Sequence, residues 1–274
     1  MVERVCCSIS LNKTFFWIRT LVYFSVYLIF LRGFRKRSLE EDRIGGTELH
    51  FKNYKRGALF LVYFAVFSST SSWDWLMSID VHWFSTLFGW YTFAGMWCTT
   101  MVVLIMVTLY LKKLGYLEKV NDHHIHDLGK WAFATSFLWS YLWFSQFMLI
   151  WFSNIPEEVT YFITRIEDYN LPFFGMLVMN FIFPLLILIN SDFKRTNYFV
   201  VMAGIVIILG HYIDIYNMIM PSAVGDKWFI GFPEIGGFMF FMGLFIWFTF
   251  KSLDKAPLLA KGDPFSKESE QFHY

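Results

Sequence analysis

The sequence is poor in charged residues: only 16% of its 274 residues are Asp, Glu, Lys or Arg, whereas 56% are apolar and 22% are aromatic. A single soluble core cannot bury so large an apolar fraction, and the mean hydropathy of +0.45 agrees with this. The composition therefore excludes a soluble globular domain. It predicts an integral membrane protein that contacts a lipid membrane.

Sequence motifs that would hold a redox group or a nucleotide are also missing. The chain has no Walker loop, no Gly-rich dinucleotide fingerprint, no CxxCH and no four-cysteine cluster set. Its three cysteines, Cys6, Cys7 and Cys98, form neither a paired framework nor a metal-ligand spacing. We therefore predict no metal site, no covalently bound cofactor and no redox centre in this chain.

Long apolar runs dominate the sequence and predict an all-α fold, a polytopic bundle with about seven membrane-spanning helices. A helix needs about 20 apolar residues to cross a bilayer, and most of the runs approach or exceed this length. The seven runs are Thr14–Leu31, Gly57–Ser72, Leu87–Leu111, Trp131–Phe152, Leu171–Ile189, Tyr198–Met220 and Ile235–Phe250. The chain then divides into a tail (1–13), the helix bundle (14–251) and a second tail (252–274).

Positive charge in the connections predicts the orientation, because cytoplasmic loops retain Lys and Arg. The Lys and Arg counts alternate between high and low: eight in 32–56, none in 73–86, four in 112–130, one in 153–170, two in 190–197, one in 221–234 and four in the C-terminal tail. The C-terminus is therefore expected in the cytoplasm. We interpret the basic stretch 32–56 as a solvated loop that sets topology rather than a nucleic-acid site or a specific lipid site.

The sixth run contains the most informative polar residues, HYIDIYN. At about 100° per residue, His211, Asp214 and Asn217 share one stripe of a helix, and Tyr212 and Tyr216 occupy a neighbouring one. An imidazole and a carboxylate within exchange distance can pass a proton, and ionisable groups inside a membrane usually have a function. We predict a proton path through Asp214 and His211. A His–Asp pair that only holds helices together is the alternative.

Other polar residues inside the runs give weaker signals. In the fourth run, Tyr141 and Gln146 are candidates, with Tyr212, Tyr216 and Asn217, for contacts to a quinone or a water chain; helix-to-helix hydrogen bonding is the alternative. Pro184 removes the hydrogen bond that its N–H would donate to the Asn180 carbonyl, which predicts a kink.

A second group of polar residues marks the predicted outer rim between the second and third runs. It comprises Trp73, Asp74, Trp75, Asp80 and His82, with aromatic rings where hydrocarbon meets headgroups. We predict that this rim docks extramembrane subunits and lines the exit for protons. An interfacial loop with solvated acids is the simpler interpretation.

The segment NDHHIHDLGKW on the predicted cytoplasmic side suggests a metal site at first. His124 and His126 are two residues apart, however, which suits neither a helical zinc pair nor a di-iron bundle. Asn121 or Asp122 is more simply a helix cap. We interpret His124, His126 and Asp127 as a helix start that also admits protons.

Several segments together carry a family resemblance. They are SWDWLMSIDVHWFSTLFGWY, HIHDLGKW, YLWFSQFMLIW, NIPEEVTYFITRI, YNLPFFGMLVMNFIFPLLILINSDFKR, VVMAGIVIILGHYIDIYNMIMP, VGDKWFIGFPEIG and APLLAKGDPF. They resemble the quinone-binding subunit 2 (ActF) of bacterial alternative complex III, which is similar to the NrfD/PsrC membrane subunits. That family has ten helices, so this chain is expected to correspond to its C-terminal portion, with residues 1–13 unmatched.

The resemblance implies a subunit of a quinol:cytochrome c or quinol:oxidase oxidoreductase in the bacterial inner membrane. The implied partners are a sister NrfD-like membrane subunit, an iron–sulfur subunit and multihaem cytochrome c subunits, which would hold all the iron–sulfur clusters and haem. The implied small molecule is a quinone or quinol, with menaquinol expected. A structural scaffold of the same complex is the main alternative. A secondary transporter is a weaker one, because the sequence shows no inverted repeat.

Overall fold

The computed structural model describes residues 12–81 and 83–271, and across these ranges the chain is helical without strands. Helix accounts for 82% of the structure, which confirms the all-α prediction. The helices are α1 (Lys13–Ile44), α2 (Glu48–Trp75), α3 (Leu87–Lys113), α4 (Asp122–Ser153), α5 (Pro156–Glu167), α6 (Asn170–Leu188), α7 (Ser191–Arg195), α8 (Asn197–Val224), α9 (Phe232–Leu253) and α10 (Ser266–Glu270), with a 3-10 turn at Met77–Ile79.

Five of the described helices, α1, α3, α6, α8 and α9, are long and apolar enough to cross a membrane. The helices α2 and α4 have similar lengths but contain no stretch as apolar as the one in each of these five helices. The reason in α2 is the run of serine and threonine at 68–72, and in α4 it is the polar residues dispersed among the aromatic ones. Seven spans therefore remain a prediction, whereas five potential spans are a finding.

The structure changes the interpretation of the basic stretch 32–56. Its Lys, Arg, Leu and Glu residues favour helix, so α1 continues through them to Ile44 and α2 begins already at Glu48. The loop is reduced to a turn in which Gly45 and Gly46 have positive φ angles of 73° and 89°. Two helices thus extend past the apolar runs, and their charged ends project as a helical hairpin.

Four helices, α3, α4, α6 and α8, pack against one another as the central bundle of the described chain. Its interior is filled by two apolar clusters, one around Trp139 and Tyr91 and the other around Cys98 and Ile207. Outside this bundle, α1 packs on α2 and α2 packs on α3. The helix α9 has no buried residue.

The two ends of the bundle are defined by contacts between distant segments. At one end, which we call the basic end, Gly262 N donates to Asp42 Oδ1 at 2.8 Å, and His124 Nε2 lies 3.1 Å from Ser269 Oγ. The segments predicted to be cytoplasmic therefore meet there, with the C-terminal tail packed across them. At the opposite end, Trp228 Nε1 donates to the Asp168 carbonyl at 2.7 Å.

Candidate functional site

The stripe predicted on the sixth run is the centre of a buried polar cluster in the four-helix bundle. One face of α8 carries His211, Asp214 and Asn217, which are 4%, 2% and 2% exposed. His211 Nδ1 lies 3.7 Å from Asp214 Oδ2. The helical spacing of three residues thus brings the imidazole and the carboxylate together, as the sequence predicts.

Two side chains from neighbouring helices donate hydrogen bonds to Asp214. The Tyr91 hydroxyl of α3 donates to Oδ1, and Trp139 Nε1 of α4 donates to Oδ2 at 3.0 Å. Both donors are buried, and the Trp139 ring meets the His211 ring edge to face at 5.4 Å between centroids. Asp214 therefore has two oriented donors and one imidazole, so a charge on this carboxylate is well compensated.

In α6, a proline leaves one backbone carbonyl without its helical donor, and a side chain of another helix donates a hydrogen bond to it. In α6, residues 178–182 form a π-helical turn, and Pro184 cannot donate to the Asn180 carbonyl four residues earlier. The Ser136 hydroxyl of α4 donates to that carbonyl instead. The Asn180 side chain is turned towards α8, with Nδ2 3.5 Å from His211 Nδ1. The kink thereby adds a fourth helix to the cluster.

This close approach of α6 to α8 depends on Gly210. A Cβ atom at that position would lie 2.1 Å from Asn180 Oδ1 and 2.9 Å from Met179 Cβ. We expect Gly210→Ala to lower the free energy of unfolding by about 1–3 kcal/mol, the usual cost of overpacking. Gly175→Ala is the matched control, since a Cβ there meets nothing within 4 Å. Thermal unfolding in detergent checks this, and equal midpoints for the two variants would contradict it.

A small cavity of about 10 Å³ adjoins Asp214. On this measure such a cavity holds about one water molecule. Polar side chains in its lining come from four helices: Tyr91, Gln146, Tyr161, Arg165, Asp214 and Asn217. Asn217 Oδ1 has no hydrogen-bond partner among the described residues. The cavity is therefore polar enough and large enough to hold one water molecule.

Arg165 is the buried charged residue of this cluster that the sequence interpretation missed. It lies on α5 and is 2% exposed. Its Nε donates to the Asn217 carbonyl at 3.0 Å, and its guanidinium carbon lies 3.3 Å from the centre of the Tyr161 ring. A signal was present, because Pro221 follows Asn217 by four residues and leaves that carbonyl without its helical donor. The one cation of segment 153–170 supplies the bond.

The other residues predicted to contact a quinone or a water chain lie at separate places in the structure. Gln146 and Asn217 line the Asp214 cavity. Tyr212 leaves the cluster, and its hydroxyl donates to the Glu234 carbonyl of α9 at 2.8 Å. Tyr216 is buried, whereas Tyr141 is 64% exposed on the outside of α4. These residues therefore do not form one pocket, and their role as ligands stays a prediction.

The predicted rim differs in its local structure from an open loop. Trp73, Asp74 and Trp75 belong to the last turn of α2, because nothing between Ser72 and Trp75 breaks the helix. Asp74 accepts two hydrogen bonds from Arg19, both 2.8 Å long, and one of 2.9 Å from the Tyr23 hydroxyl. Trp75 Nε1 donates to Thr20 Oγ1.

These contacts tie α2 to α1 and account for Asp74 without a partner subunit. Asp80 ends the 3-10 turn that follows α2. His82 lies outside the described residues. Docking of another subunit at this rim stays a prediction.

The three residues predicted to admit protons lie at the basic end, at the start of α4. Asn121 and His124 form a reciprocal cap, each accepting from the backbone N–H of the other, so the predicted helix start is observed. Asp127 pairs with Lys130 at 3.3 Å. Burial lowers the pKa of His126, and Lys130 and Lys194 act in the same direction. These effects disfavour the charged form of the His126 imidazole.

A larger open cleft of about 1540 Å³ lies beside this helix start. His124 and Asp127 belong to its lining, together with apolar residues of α3 and α9 and with the C-terminal tail. Ligand pockets usually measure about 300–1,000 Å³, so the cleft has room for a lipid-sized molecule, and the cavity at Asp214 does not.

The Asp214 cluster and the cleft at the basic end differ in the chemistry that their residues allow. The Asp214 cluster can hold and pass a proton, because it joins a carboxylate, an imidazole and a phenol in direct contact. Among the described residues no group of three His, Cys, Asp or Glu side chains could hold a metal ion.

No protein-family model and no curated protein matches this chain.

Proposed function

We propose that this chain is a membrane subunit of a respiratory quinol:cytochrome c or quinol:oxidase oxidoreductase of the alternative complex III type. In this proposal it belongs to the quinone-binding membrane module and supplies a proton path through Asp214 and His211. The membrane is the bacterial inner membrane, the bundle has seven spans, and the C-terminus is cytoplasmic. The sister NrfD-like subunit, the iron–sulfur subunit and the cytochrome c subunits carry out electron transfer.

The observation that supports the proton path best is the contact set of Asp214. A buried carboxylate that meets Tyr91, Trp139 and His211 is costly to place inside a membrane bundle, and an apolar residue would pack there without that cost. The small cavity beside it offers room for a water molecule that can take the proton onward. The site favours proton transfer over binding of a quinone ring, which does not fit the cavity.

A structural scaffold is the second candidate, and the same hydrogen bonds favour it. Both oxygens of Asp214 receive a donor from another helix, so the cluster also clamps α3 and α4 onto α8. A scaffold needs the hydrogen bonds but not the ionisation of Asp214. Replacing Asp214 by the nearly isosteric Asn separates the two roles.

Membership of a redox complex predicts a difference between the isolated chain and the chain with its partners. A tagged chain isolated from its native membrane in mild detergent should bring cytochrome c subunits with it and show a Soret band. The chain expressed alone should show none and should contain no stoichiometric iron or zinc, since the sequence has no such motif and the described residues form no metal-ligand group.

The readouts are the absorption spectrum and the metal content. Isolation from the native membrane without any haem protein would contradict the proposed complex and favour a transporter. Bound iron or zinc in the isolated chain would contradict the prediction that it holds no metal, and His124, His126 and Asp127 would then be the candidate ligands.

A further inference from the structure

We propose that Arg165 is an electrostatic barrier at the outer end of the Asp214 site, which opposes passive proton leak between this cluster and the outer surface when no quinol is being oxidised. The proposal rests on the proton path proposed above. It assigns to Arg165 a positioning and gating role, and not a chemical step.

Arg165 contacts α8 at a point further towards its C-terminal end than Asp214. Its Nε and Nη2 donate to the carbonyls of Asn217 and Met218, at 3.0 and 3.4 Å. These residues follow Asp214 by three and four positions, which is about 5 Å further along the helix axis. Helix carbonyls point towards the C-terminus, and α8 ends at the end opposite the basic end. The guanidinium therefore lies between Asp214 and the outer end of the bundle.

The guanidinium is held rigidly at this place. Its Nη1 donates to the Tyr161 carbonyl at 2.8 Å, and its face lies on the Tyr161 ring. Tyr161 is in turn stacked on Trp83, with 3.9 Å between ring centres. The three carbonyls bring no full negative charge, so they do not neutralise the cation. An arginine remains charged in proteins.

The cavity connects this charge to Asp214, since both residues line it. The other ionisable groups around Arg165 are Tyr161, Tyr91, Tyr169 and Asp80, of which Asp80 is the anion. A proton that moves outward from Asp214 through this cavity passes close to the guanidinium. Fixed cations exclude protons from water-filled pores by the same repulsion.

A measurement of passive proton flux tests the barrier. The whole complex is reconstituted in vesicles with a trapped pH dye, a potassium potential is applied with valinomycin, and no quinol is added. Arg165→Gln removes the charge and keeps a donor for the Asn217 carbonyl. We expect proton flux about tenfold higher than in the wild type, since a unit charge acting over about 10 Å at a dielectric constant of about 20 has at least this effect.

Three further variants make the result specific. Asn217→Asp adds a carboxylate to the same cavity and leaves Arg165 and its carbonyl contacts in place, so it should raise the flux as well. Arg165→Lys keeps the positive charge, so its proton flux should stay close to that of the wild type. Arg56→Gln, the same substitution as Arg165→Gln but at an exposed position, should leave the flux unchanged. In both leaky variants, adding Asp214→Asn should return the flux to the wild-type value.

The outcomes separate this inference from the proton path itself. If Asp214→Asn alone lowers quinol-driven proton release while neither Arg165→Gln nor Asn217→Asp increases leak, the barrier is overturned and the path stands. Arg165 would then only cap the carbonyl that Pro221 leaves free. If Asp214→Asn alone leaves proton release unchanged, the path fails and the barrier fails with it. If Arg165→Gln does not assemble, Asn217→Asp alone decides.

Discussion

Replacing Asp214 by Asn is expected to leave the complex assembled and to slow quinol-driven proton release through this subunit. The amide is nearly isosteric and its oxygen still accepts a hydrogen bond from Tyr91 or Trp139, but it cannot ionise. A positioned acid–base group typically contributes on the order of 10²-fold or more, which sets the size of the expected loss. Proton release per electron in vesicles, measured with a pH dye during quinol oxidation, checks this.

The control for this variant is Asp226→Asn, which makes the same substitution at an exposed position just after the C-terminal end of α8. It should release protons at the wild-type ratio. Wild-type proton release by the Asp214→Asn complex would contradict the proton path. Loss of assembly in Asp214→Asn, with normal release by the complexes that remain, would favour the scaffold.

The second large effect is expected at the contact between α1 and α2. Asp74→Ala leaves the guanidinium of Arg19 without its carboxylate and removes the acceptor of the Tyr23 hydroxyl. Arg19 and Asp74 are 18% and 17% exposed, so solvent replaces the lost partner poorly. We expect a loss of about 3 kcal/mol in the free energy of unfolding. Unfolding of the protein in mild detergent measures it.

Two companion variants define what this pair contributes. Tyr23→Phe removes one of the three hydrogen bonds to Asp74 and should cost about 1 kcal/mol. Asp226→Ala, the same substitution at an exposed site, should have almost no effect. If Asp74→Ala and Asp226→Ala unfolded alike, Asp74 would not stabilise the helical hairpin, and its predicted role in docking another subunit would become the better explanation.

The sequence allowed the fold class and the centre of the site to be predicted because both depend on local pattern. Helical periodicity alone places His211 beside Asp214, and the apolar runs alone locate the long helices. The ends of α1 and α2 were not predictable from hydropathy, because the charged stretch 32–56 is polar and also favours helix. The positive charge of this stretch predicts its side of the membrane, but it does not predict that the stretch forms a loop.

The partners of Asp214 could not be predicted from local pattern. Tyr91 and Trp139 are separated from Asp214 by 123 and 75 residues, and in a chain with 22% aromatic residues no ring is distinctive. Arg165 could have been found by asking which donor satisfies the carbonyls that Pro184 and Pro221 leave free. The sequence shows that these two carbonyls lack a helical donor. Only the packing of the bundle shows that Ser136 and Arg165 donate to them.

Infrared difference spectroscopy of the whole complex during quinol oxidation tests the proton path most directly. The stretching band of a protonated carboxyl group reports whether a buried acid gains or loses a proton. The proton path predicts a turnover-dependent band in this region that disappears in Asp214→Asn and persists in Asp226→Asn. An identical difference spectrum in the wild type and in an assembled Asp214→Asn complex would show that Asp214 keeps one protonation state, and the path would be wrong.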